Sequence, residues 1–66
     1  MNTKLLKETI KNSGMTMKAV AEKSGILRES LYNKLESGNF YASEIKALSE
    51  VLHLSTEQRD AIFFED

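Results

Sequence analysis

Three glycines and no proline punctuate the N-terminal part of this chain, and their spacing leaves room for little but short helices. Gly14, Gly25 and Gly38 each follow a stretch in which apolar side chains recur three or four positions apart, and each stands where a left-handed C-cap closes a helix. The pattern predicts helix, stop, helix, stop, helix, stop. No stretch alternates apolar and polar residues as a half-buried strand does, and no internal repeat or low-complexity tract interrupts the order.

The first predicted helix, about Thr3 to Ser13, carries Leu6 and Ile10 on one face with Leu5 beside them, and turns Lys4, Lys7, Glu8 and Lys11 to water. Thr16 suits the N-cap of a second, Met17 to Ser24, because its hydroxyl oxygen accepts from a free first-turn amide. Val20 and Ala21 then point inward. A third helix starts at Leu27 or Arg28 and runs to Ser37, with Leu31 and Leu35 as its buried seam and Arg28, Glu29, Tyr32, Asn33 and Glu36 opposite. Asn39-Phe40-Tyr41-Ala42 reads as a loop whose aromatics tuck under the domain. Beyond it a fourth helix, capped by Ser43 or a residue just before it, turns Ile45, Leu48, Val51 and Leu52 inward. In the last segment Ser55 and Gln58 fit a capping box, and Ile62, Phe63 and Phe64 anchor the end. An all-α, five-helix bundle follows, as one domain spanning residues 1–66.

Without cysteine the core has neither a disulfide nor a thiolate metal site and rests on apolar packing. A hydrophobic share of 41% with 29% charged residues is that of a folding chain. No apolar run approaches bilayer length and Met1–Lys7 lacks a signal-peptide core, so a soluble cytoplasmic protein is expected. The net charge of -1 argues at first against a polyanionic partner. Its distribution argues otherwise: residues 1–46 hold eight basic and five acidic side chains, a balance of +3, whereas residues 47–66 set Arg59 against five carboxylates, -4.

Ala21, Gly25, Ile26 and Leu31 stand at the spacings that two helices crossing steeply through a tight turn require. Ala21 is small where the next helix passes over it. Gly25 turns the chain with a positive φ, and Ile26 and Leu31 fill the angle. In this stretch, MKAVAEKSGILRESLYNKLESGNFYASEIKALSEVLHLS, the chain resembles the phage repressor/Cro-type helix-turn-helix family, the lambda repressor-like DNA-binding domains, over nearly its whole length. The nearest resemblance is to small phage and mobile-element regulators with a reading helix like SLYNKLE followed by an aromatic, Ser-Glu-Ile and Leu-x-Leu-Ser.

That resemblance implies that the first helix supports, Met17 to Ser24 crosses the DNA backbone, and Arg28 to Glu36 reads the major groove. By position, Arg28, Glu29, Ser30, Tyr32 and Asn33 reach base edges: Arg28 suits guanine, Asn33 adenine, Glu29 a cytosine amine, and Tyr32 a thymine methyl or a phosphate. The phosphate positions are Thr16, Met17, Lys18, Lys34 and Asn39, with free amides at the start of the second helix adding to them. Two residues depart from the family. Met17 replaces a phosphate-contacting glutamine, and Leu27 replaces the serine or threonine that caps the reading helix; each removes one hydrogen bond. Glu29 adds repulsion toward phosphate unless it meets a base donor.

Plainer roles are assigned elsewhere. Lys4, Lys7 and Lys11 are read as a solvated face, the three methionines as filler, and His53, the sole histidine, as a cation at the end of the fourth helix. No nucleophile-base pair, phosphate loop or metal-ligand cluster is present, so neither enzyme activity, cofactor, metal nor small-molecule substrate is expected. The expected function is transcriptional regulation on operator DNA, as a homodimer formed through the fourth and fifth helices. The alternative is a protein-interaction module, antitoxin-like or anti-repressor-like, that keeps the fold without strong DNA binding.

Overall fold

Apolar periodicity and caps together set where each helix lies in the computed structural model, which describes residues 1–65. The helices are α1 (Thr3–Asn12), α2 (Met17–Ser24), α3 (Arg28–Ser37), α4 (Ala42–Val51) and α5 (Thr56–Phe63). Among the described residues there is no strand, and the fold is all-α. None of the helices is long and apolar enough to cross a membrane.

Three N-termini, those of α1, α2 and α5, satisfy a free first-turn amide with a cap side chain. The Asn2 side chain accepts from the Leu5 amide at 3.0 Å, and Thr16 Oγ1 accepts from Ala19 at 3.1 Å. Ser55 and Gln58 form the expected reciprocal pair, with Gln58 N donating to Ser55 Oγ at 3.1 Å and Ser55 N to Gln58 Oε1 at 2.8 Å. At α4 the cap differs from expectation. Tyr41 is the N-cap residue, Ala42 is already helical, and the Glu44 carboxylate accepts from the Tyr41 amide at 2.8 Å. Ser43 therefore lies inside the first turn.

Two helix ends share one arrangement of backbone bonds. After α2, Gly25 adopts φ 75°, its amide donates to Glu22 and the Ile26 amide to Ala21, so the last carbonyls are satisfied. After α4, His53 takes the same left-handed conformation, φ 53°, with its amide on Glu50 and that of Leu54 on Ser49. His53 thus ends the helix through its backbone, one residue beyond the Leu52 cap, and its ring lies exposed.

The seams drawn from periodicity meet in one core, although on α4 Leu48 alone is buried, with Ile45 and Leu52 packed at its edge and Val51 outside it. Leu6, Val20, Leu31, Leu48 and Ile62, one from each helix, are fully buried, and Ile26 in the α2–α3 turn joins them. α2 packs on α3 and α4, while α1 packs on α3 and α5. A further tie runs from the Asn2 amide to the Ile62 carbonyl at 2.7 Å, fastening the first residues to the last helix. The two loop aromatics part company. Phe40 turns in and meets the Phe63 ring edge-on at 5.9 Å between centroids, whereas Tyr41 remains exposed. Phe64, expected among the anchors, also faces solvent, with the Arg59 guanidinium 5.8 Å from its ring centre. Phe63, the last residue of α5, is buried, and the chain leaves the helix at Phe64.

Candidate nucleic-acid interface

α2 and α3 are separated by Gly25, Ile26 and Leu27 alone, so their relative placement is set by a left-handed glycine and a buried isoleucine. Leu27 is the N-cap residue of α3 and, as its side chain predicts, contributes no capping hydrogen bond; its carbonyl accepts from Leu31 at 2.8 Å. The Leu27 side chain itself is 78% exposed. A single exposed apolar side chain is ordinary on a protein surface, so Leu27 matters only for its place at the rim of the α2–α3 turn, beside Lys18 and Arg28.

On α3 the burial of Leu31 and Leu35 fixes which flank looks outward. Arg28, Glu29, Tyr32, Asn33 and Glu36 are exposed, and Ser30 is half-buried. Four of the five residues expected at base edges thus stand uncovered on one helix, with donor, acceptor and apolar character within two turns.

The expected phosphate positions fare unequally. Thr16 is exposed, and although its oxygen accepts from Ala19, its hydroxyl hydrogen is free to donate outward. Lys18 is exposed at the start of α2. Met17 is half-buried and packs against the core, so only its backbone serves a polar partner. Asn39 is exposed, with its amide donating to Ser37 Oγ.

Lys34 is engaged within the chain. Its ammonium pairs with the Glu44 carboxylate and lies 4.5 Å from the centre of the Tyr41 ring, and both partners of the ion pair are largely covered. Burial opposes ionisation of Glu44, but the hydrogen bonds from Lys34 and the Tyr41 amide and the Lys34 charge outweigh it, holding the carboxyl below its ordinary value. This link joins α3 to the start of α4, so the Lys34 ammonium is engaged in holding α3 in place rather than extended into solvent.

Three shallow concavities surround α3. One lies around the turn, bounded by Lys18, Glu22, Leu27 and Arg28. Another brings Asn33, Lys34 and Asn39 to one rim. The third places Met17 and Tyr32 beside Lys7 and Glu36. Lys7 and Glu44 are the residues that sequence reasoning left out of the site. Glu44 carries a local signal as the acidic residue of the first turn of α4, but nothing local links it to Lys34, ten positions away. No protein-family model matches the chain, and comparisons with curated proteins and with solved structures returned no match.

Proposed function

We propose that the protein is a sequence-specific DNA-binding regulator of transcription, of the phage repressor and Cro type, acting by occupying an operator. α2 and α3 then form the helix-turn-helix: α2 lies along the backbone, and α3 enters the major groove with Arg28, Glu29, Ser30, Tyr32 and Asn33 toward the base edges. The observation that carries this reading is the division of α3, whose Leu31 and Leu35 are in the core while Arg28, Glu29, Tyr32 and Asn33 are uncovered. Thr16, Lys18, Asn39 and the first amides of α2 hold phosphates beside it.

One reading helix supplies limited affinity, so the protein works as a symmetric dimer on half-sites about one helical turn, roughly 34 Å, apart. Exposed Phe64 and the groove between α4 and α5 offer the apolar surface for it.

Selection of bound sequences from a random duplex library tests the reading, followed by affinity measurements on the selected site. Arg28→Ala and Asn33→Ala each cost about 1–3 kcal/mol and relax base preference, while Lys18→Ala weakens all sequences alike and flattens the salt slope by about one unit. Equal, sequence-independent losses for both classes overturn the assignment of roles.

The exposed Leu27 and the half-exposed Tyr32 ring favour one other reading, a surface that grips a protein partner. Retention on random duplex DNA at low salt, falling steeply as salt rises, decides between them; absence of retention selects the protein partner.

A further inference from the structure

Lys7 differs from the other lysines of α1. Lys4 and Lys11 are exposed on the same helix, but Lys7 reaches across to α3, where its ammonium lies 3.0 Å from Glu36 Oε1. The pair is open to water, with 47% of the Lys7 side chain and 77% of the Glu36 side chain exposed. An ion pair so exposed is weak and readily exchanges one carboxylate for another anion.

Its surroundings decide which anion. Lys7 and Glu36 rim a concavity of about 200 Å³ whose other walls include Met17, the first residue of α2, and Tyr32 on the outward flank of α3. Met17 has no donor in its side chain, so this edge of the interface lacks a cation of its own. Lys34 does not supply one, because Glu44 and the Tyr41 ring hold its ammonium.

We propose that Lys7 is a phosphate-binding residue: on docking, its ammonium leaves Glu36 for a DNA phosphate lying over the Met17–Tyr32 concavity. α1 thereby grips the backbone at the point where α2 presents a methionine, and Glu36 weakens the grip by competing for the same ammonium. This inference rests on the DNA-binding reading above and assigns to α1 a contact that reading did not include.

The test measures affinity for one selected duplex and one unrelated duplex over a salt series, using the whole chain. Lys7→Ala weakens both duplexes by the same factor and lowers the slope of log affinity against log salt by about one unit, whereas Lys4→Ala changes neither. Glu36→Gln tightens binding, and that gain vanishes when Lys7→Ala is also present. Identical behaviour of Lys7→Ala and Lys4→Ala overturns the proposal. Weakening by both Lys7→Ala and Glu36→Gln also overturns it, since the pair is then a strut between α1 and α3. A gain from Glu36→Gln that persists without Lys7 overturns the competition between carboxylate and phosphate. Failure of the unaltered protein to bind any duplex instead removes the DNA-binding reading itself, and this inference with it.

Discussion

A Cβ built on Gly25 meets no atom within 4 Å, so space does not dictate glycine there; the left-handed backbone does, with φ at 75°. Gly25→Ala therefore destabilises through conformation alone, by about 1–2 kcal/mol, visible as a lower urea midpoint with an unchanged m-value. The same reasoning runs the other way at His53, a non-glycine residue at φ 53° in an equivalent helix end. His53→Gly relieves the left-handed strain but adds unfolded-state entropy, and the net is a gain of up to about 1 kcal/mol. A loss of stability at His53→Gly would show that the imidazole makes a contact outweighing the backbone term. Gly25 is legible as a stop in the sequence, whereas His53 reads there as a cation at the end of the fourth helix, with nothing to foretell its left-handed backbone.

Two joints between elements carry an ion pair, and the one between α3 and α4 is largely covered where the one between α1 and α3 is open to water. Glu44 accepts from the Tyr41 amide and from Lys34, and its carboxyl titrates below the ordinary glutamate range. A group with a lowered folded value contributes stability that is present above its unfolded value, about 4.3, and is lost as the pH falls through the folded one. Glu44→Gln keeps an acceptor for Tyr41 but loses the charge, so stability measured by urea unfolding falls less on acidification below about pH 4.3 than in the unaltered protein. An acid limb of the same steepness in both proteins excludes this role for the pair. Should the joint loosen, α3 loses its tether to α4 while Leu31 and Leu35 still hold it to the core, so under the proposed function Lys34→Ala lowers affinity for a selected duplex by more than it lowers stability.

At the scale of the molecule, a core to which every helix contributes leaves few large apolar side chains in water. The domain spans only 26 × 22 × 20 Å, and the exposed large hydrophobic side chains are Leu27, Tyr32, Tyr41 and Phe64. Leu27 and Tyr32 border the proposed reading face, Tyr41 lies under the Lys34 ammonium, and Phe64 belongs to the α4–α5 groove. If that groove is the dimer surface, Phe64→Ala leaves the unfolding midpoint nearly unchanged while sedimentation on operator DNA shifts from two copies toward one. A monomer on operator DNA before any substitution removes the dimer from the proposed function.

What was legible without a structure is what depends on neighbours along the chain. The span of α2, the capping by Thr16 and Ser55, the left-handed turn at Gly25 and the seams of Leu6, Ile10, Leu31 and Leu35 follow from periodicity and short-range hydrogen bonds, which sequence separation of three or four residues specifies. Tertiary structure decided how distant groups pair. It sent Lys34 to Glu44 and Lys7 to Glu36, and it turned Phe40 onto Phe63 while leaving Tyr41 and Phe64 in water. Those outcomes depend on which helices lie side by side, and an ammonium or an aromatic ring at the end of a flexible stem goes to whichever partner the packing brings within reach.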